Sequence, residues 1–155
     1  MVLAAVNSFG YRLFFLLHIL AIIVAFAPAF VWPFSAARLK KAGKPVGSSI
    51  GEMAAGHSLK VSGPAVVLAG LFGFAMVGMS GKAWKFSQTW VSIGMLLWFL
   101  AIGVQFGLMG PTEKRAAAGD QTADAKLSMY GGMLHVLLLL LLIDMIWKPG
   151  LRGFL

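Results

Sequence analysis

Residues 129–147 read MYGGMLHVLLLLLLIDMIW, and from Leu137 to Ile143 no position is polar. A barrel strand alternates apolar and polar residues over about ten positions, so an unbroken aliphatic run belongs to a helix. About 20 mostly apolar residues carry a helix across a hydrocarbon core about 30 Å thick, and this stretch is close to that length. Working outward, three more blocks of the same kind precede it: 11–32 (YRLFFLLHILAIIVAFAPAFVW), 61–79 and 87–109. The sequence therefore predicts one all-α domain over residues 1–155. Its fold is a membrane-spanning up-down-up-down four-helix bundle with spans at about 11–32, 61–79, 87–109 and 129–147.

Composition agrees. The chain of 155 residues is 59% hydrophobic and 12% charged, with a mean hydropathy of +0.86; soluble domains run at about 45–50% apolar and about 25% charged. The net charge of +8 would suit nucleic acid if it were gathered on one face. Instead the basic residues fall in short segments between apolar blocks, where they set topology and meet anionic lipids. The expected partners are thus the bilayer, including its anionic lipids, and other membrane protein subunits, with no nucleic acid. There is no Cys, which excludes disulfides, iron–sulfur ligation and thiolate chemistry. Met1 to Gly10 holds no Lys or Arg and the apolar run after it is long, so the first block reads as a retained helix and not a signal peptide.

Lys and Arg counts predict orientation. The first and third loops carry eight (Arg38, Lys40, Lys41, Lys44, Lys60, Lys114, Arg115, Lys126); the termini and second loop carry five (Arg12, Lys82, Lys85, Lys148, Arg152). The expected location is the plasma (inner) membrane, and the bias places both termini outside and the longer loops in the cytoplasm.

Prolines and aromatics mark the expected ends. Pro28 should kink the first span and Pro33 should stop it; Tyr11 and Trp32 suit the two interfaces. Ser48 to Lys60 can form a short helix leading into the second span, whose Pro64 lies near its start. Lys82, Trp84 and Lys85 anchor a tight second connection. Gly110-Pro111 should end the third span, leaving Thr112 to Ser128 as an alanine-rich loop or short surface helix. Lys148-Pro149-Gly150 closes the fourth, before an interfacial tail, LRGFL.

Helices in lipid associate by close backbone approach, so small-residue stripes are the expected packing faces. Ala65, Ala69 and Gly73 form one in the second span, Gly103 and Gly107 one in the third, and Ala21, Ala25 and Ala29 one in the first. The plain reading is packing within one bundle. The alternative is a stripe that faces outward and docks a partner helix.

Polar residues inside a membrane are costly and each needs an account. Alternating spans place Arg12, His18 and Asp144 near one surface, which predicts an Arg12–Asp144 ion pair. Gln105 and His135 fall near the other, which predicts a hydrogen bond between them. His18 and His135 have matching surroundings, as axial haem b ligands would. Their depths differ by roughly 10 Å at about 1.5 Å per residue, however, which disfavours one bis-histidine haem and leaves one histidine with another axial group, such as a Met. The plainer account is that each imidazole satisfies itself against a neighbouring helix, with His57 solvated or lipid-facing. Nine Met residues, including Met76 and Met79, offer soft Cu(I) ligands, although Met is also common core filler. No nucleophile–base pair, paired carboxylates, phosphate loop or dinucleotide fingerprint is present.

Three stretches, Leu16-Leu17-His18-Ile19-Leu20, Phe86-Ser87-Gln88-Thr89-Trp90-Val91-Ser92 and Trp147-Lys148-Pro149-Gly150, resemble a bacterial family of small four-helix integral membrane proteins without an assigned function. The chain is more distantly similar to the membrane domain of copper-resistance D-type proteins and to membrane protoporphyrinogen oxidases, which carry a histidine in the first helix. That likeness makes His18 the matching position. Those families follow that histidine with an aromatic–glycine pattern, where this chain has Val24-Ala25-Phe26-Ala27-Pro28. Three functions are consistent with these features: a non-catalytic accessory or assembly subunit of a membrane complex; a haem- or copper-handling protein using His18 and possibly His135; and a transporter or channel subunit, if its polar residues line one path.

Overall fold

The computed structural model describes residues 5–43, 49, 56–120 and 122–151. Most of the expected 48–60 helix and of the C-terminal tail lies outside these residues. Among them there is no strand, and four helices are long and apolar enough to cross a membrane. These are the features of a multi-pass membrane protein.

Helix α1 spans Phe9–Lys41. The Ser8 side chain accepts a hydrogen bond from the Tyr11 amide (3.3 Å), satisfying one orphan donor of the first turn. Arg38, Lys40 and Lys41 sit in the last turn, where cations suit the helix dipole. The helix runs through Pro28 and Pro33 instead of stopping at the second. Prolines are tolerated in membrane helices because neighbouring groups re-satisfy the freed carbonyls.

Helix α2 spans Gly63–Met79, with Pro64 in its first turn, and follows directly on a π-helical turn, Ser58–Ser62. Helix α3 spans Thr89–Ile102 and runs into a second π-helical stretch, Gly103–Met109, and then α4, Gly110–Ala117. Gly110-Pro111 therefore does not end the third span. Pro111 lies inside this continuous helical path, and the wider i→i+5 turns before it accommodate its missing N–H without ending the helix. Helix α5 spans Thr122–Trp147. The expected 112–128 loop shrinks to the few residues between α4 and α5. Asp120 closes that turn: its carboxylate accepts from the Thr122 hydroxyl (2.6 Å) and amide (2.9 Å), and these bonds hold its pKa below the usual carboxylate range.

Small residues bring the helices together. Ala21 and Ala25 of α1 and Ala65 and Ala69 of α2 are buried, and α1 packs on α2 more extensively than any other pair. Ala25, Phe26, Val66, Ala101, Val104, Leu134 and Leu138 form an apolar cluster shared by α1, α2, α5 and the third span. Large apolar residues such as Phe15, Leu71, Leu96 and Leu139 are exposed on the outer faces, the arrangement expected where lipid is the solvent.

The small-residue stripes divide. Ala65 and Ala69 are buried, and a Cβ on Gly73 would stand 3.5 Å from Cε1 of His18. In contrast, nothing lies within 4 Å of a Cβ built at Gly103 or Gly107. The second-span stripe packs inside the chain; the glycine pair of the third faces outward.

Candidate functional site

A cavity of about 280 Å³ lies among α1, α2, α3 and α5, near the lower bound of the ~300–1,000 Å³ of small-molecule sites. Along α1 it extends from Tyr11 to Phe26, a rise of about 22 Å. Three indoles build much of its wall. Trp98 is fixed by donating from Nε1 to the Val66 carbonyl (2.8 Å), Trp90 to Gln88 Oε1 (3.2 Å) and Trp84 to the Tyr11 hydroxyl (3.0 Å). Gly70 makes the Trp98 position possible, because a Cβ there would fall on the indole ring. Near Tyr11, the ammonium of Lys148 lies 4.8 Å from the centre of the Trp84 ring and 5.8 Å from that of Trp90, a cation–π arrangement.

His18 is the polar side chain deeper in this cavity. Its Nδ1 lies 2.7 Å from the Ala69 carbonyl oxygen. A carbonyl only accepts, so Nδ1 carries the hydrogen. Nε2 makes no hydrogen bond among the described residues and, unlike the His57 nitrogen below, is not shut away from the cavity. The expectation that each histidine satisfies both ring nitrogens holds at one nitrogen only.

Asp144 stands behind the wall at Gly94. It is 4% exposed, and neither carboxyl oxygen has a hydrogen-bond partner among the described residues. The expected ion pair with Arg12 is not made: Arg12 is exposed and donates from Nη2 to the Asn7 side-chain oxygen (3.2 Å). An exposed guanidinium at the start of α1 keeps its water, whereas reaching a buried carboxyl would strip it.

The Gln105–His135 bond is not made either. His135 uses Nδ1 on the Gly131 carbonyl one turn back (2.8 Å) and packs edge-on against Phe30. Phe30 is twelve residues along α1 from His18, about 18 Å. His18 and His135 thus belong to different places, and one haem cannot take both as axial ligands.

Gln105 instead donates from Nε2 to the Ser58 carbonyl (3.4 Å), joining the two π-helical turns. Ser58 in turn donates from its amide (3.1 Å) and its hydroxyl to the two carboxyl oxygens of Glu113, which is 1% exposed. Leu59 lies over Gly110 and Phe106 over Gly63, where Cβ atoms would collide with them. His57 is half-buried and packs edge-on against Trp32, and its Nε2 is enclosed without a partner among the described residues. Glu113 falls in the 112–128 stretch that the sequence reads as a loop or short surface helix. The one available signal was a lone acid close behind an apolar block, and only the continuation of the helix past Pro111 makes it internal.

The apolar cluster shares Phe26, Val66, Ala101 and Leu138 with the cavity wall, and none of Ser58, Gln105 and Glu113 lines that cavity. Of the intramembrane polar residues, Arg12, Asp144, Gln105 and His135 do not line this cavity. Among the described residues no three His, Asp or Glu side chains come together.

No family model, curated protein or solved structure matches the chain.

Proposed function

We propose that the protein is an up-down-up-down four-helix bundle of the bacterial plasma (inner) membrane, with both termini outside. In that membrane it acts as a non-catalytic binding subunit, holding a lipophilic molecule in the cavity around His18. The Lys and Arg distribution supports the orientation, and the likeness of residues 16–20, 86–92 and 147–150 to small bacterial membrane proteins supports the setting. One observation carries the function. An apolar, indole-walled cavity within a membrane-spanning fold presents a single unsatisfied imidazole nitrogen at depth. Pockets that combine an apolar body with few placed polar groups are the usual form of small-molecule sites.

Native mass spectrometry after gentle solubilisation tests this reading against a cavity-filling variant, Gly73→Leu, whose new side chain grows toward His18. Unaltered protein carries an added lipophilic mass and the folded variant loses it. Equal occupancy of the two, or an empty unaltered protein after lipid add-back, overturns the reading.

A second reading, a small haem- or copper-handling protein, is favoured by what shares the cavity with His18. Met76, Met95 and Met145 line it too, and imidazole with thioether is a donor set suited to Cu(I) or to a His/Met haem. His135 is not part of that set. Oxidised and reduced absorbance spectra with elemental analysis decide it: Soret and α bands, or stoichiometric copper, support it, and a blank result removes it.

Docking to other membrane subunits is compatible with either reading, and the outward Gly103–Gly107 face supplies the close-approach surface it needs. A transporter or channel role has less support, because Arg12, Asp144, Gln105 and His135 do not share the cavity with His18.

A further inference from the structure

The polar inventory of the cavity is one-sided. Among the described residues its lining holds no Asp, Glu, Asn, Gln, Ser or Thr. All three indole N–H groups are committed, to Tyr11, Gln88 and Val66. The lining's other polar side chains, Tyr11 and Lys148, both lie beside Trp84, and Tyr11 is seven residues along α1 from His18, about 10 Å. At the depth of His18 the polar contact available from a side chain is therefore its own Nε2. Nδ1 holds the ring hydrogen and donates it to Ala69. The lining offers an imidazolium no carboxylate, and with the ring hydrogen on Nδ1 the neutral ring leaves Nε2 as an acceptor with no hydrogen to give.

The route in is equally specific. Phe15 and Ile19 of α1 and Leu142 of α5 line the cavity and are exposed large apolar residues. α1 and α5 touch far less than α1 and α2 do. The cavity thus opens sideways, between two apolar helix faces that meet lipid.

From these two features, and resting on the ligand-binding reading above, we propose that the occupant is a chain-bearing lipophilic alcohol or phenol drawn from the bilayer, whose O–H donates to Nε2 of His18. His18 is then the residue that determines specificity. A ketone or ether of the same shape brings a second acceptor against Nε2 and leaves both unpaired in an apolar wall. A site built to bond one hydroxyl rejects the analogue that lacks it for this reason. The site distinguishes the hydroxyl form of a lipid from its oxidised or alkylated form.

The test uses full-length protein in saturated phosphatidylcholine nanodiscs and a matched pair of probes, 11-bromoundecan-1-ol and its methyl ether. Bromine quenches tryptophan on contact, and Trp84, Trp90 and Trp98 line the cavity. The alcohol should quench saturably and the ether should bind about tenfold more weakly, equivalent to about 1.4 kcal/mol. In His18→Leu the two probes should become equal. Should that variant not fold, the ¹⁵N signal of His18 Nε2 in unaltered protein should move with the alcohol and not with the ether. Saturable quenching of equal affinity by both probes overturns the alcohol assignment and leaves the cavity reading standing. An absence of saturable quenching by either overturns both.

Discussion

Gly94 gives the Asp144 carboxyl its place: a Cβ at position 94 would stand 3.1 Å from Oδ2 of Asp144 and 2.8 Å from Cε of Met145. Glycine here serves the close contact of α3 with α5, not an unusual backbone angle. Gly94→Ala should therefore lower stability by about 1–3 kcal/mol, the range of a methyl forced into a filled site. The detergent melting midpoint measures it. In an Asp144→Ala background the same substitution should cost clearly less, because one of its two obstacles is gone. An equal cost in both backgrounds would show that the methyl is accommodated some other way.

Asp144 is enclosed without a hydrogen-bond donor, and Arg12 is bonded to Asn7 at the surface. An unpartnered buried carboxyl is a cost to the fold. Asp144→Leu, which removes that cost at similar volume, should raise the melting midpoint, whereas Arg12→Ala should leave it nearly unchanged. Charge reversal at both positions should not recover expression lost on reversing Asp144 alone. Full recovery by the double reversal would restore the ion pair that the two residues' depths suggested.

Ser58 and Glu113 come from opposite sides of a 55-residue separation and share two hydrogen bonds, both buried. A hydrogen bond is worth about 0.5–1.5 kcal/mol net, and a buried polar group left unpaired costs about 1–3 kcal/mol. Ser58→Ala should destabilise by an amount within these ranges, keeping the amide bond while losing the hydroxyl. Glu113→Gln should cost less than Glu113→Ala. In a double-mutant cycle, Ser58→Ala with Glu113→Ala should fall short of the sum of the single effects by 0.5 kcal/mol or more, the sign of direct coupling. Strict additivity would mean that the two side chains do not sense each other.

Hydropathy made the spans legible because crossing a membrane demands length and apolarity, and both are local properties of the chain. The inward placing of Ala65 and Ala69 followed the same way, from a four-residue spacing. The pairings did not follow. Depth brought Arg12 to Asp144 and Gln105 to His135, but a hydrogen bond needs rotation about the helix axis as well, and a sequence states no rotation until the neighbours are known. His135 turned to its own helix at Gly131, and Gln105 turned to a carbonyl exposed by a π-helical turn. Those turns were the larger omission. They carry the chain past Pro111 and place Glu113 inside, and π-helix has no periodicity that a hydropathy reading detects. Prolines were read by their behaviour in water, where the freed carbonyls end a helix. In α1 they do not.

Two glycines on different faces separate packing from propensity. A Cβ at Gly70 would overlap the Trp98 indole, while one at Gly103 would meet nothing within 4 Å. Alanine in a helix is favoured over glycine by roughly 0.5–1 kcal/mol when nothing else changes. In isolated protein Gly103→Ala should therefore be neutral or slightly stabilising. Gly70→Ala should be strongly destabilising and should shift tryptophan emission, because Trp98 must leave its bond to Val66. Trp98→Phe introduced with Gly70→Ala should recover part of the loss. The same Gly103→Ala protein also separates lone bundle from docked subunit. If the outward face seats a partner helix, the variant should keep its stability in isolation and lose the partner on gentle solubilisation. A destabilised isolated variant would instead mean that Gly103 packs within the chain.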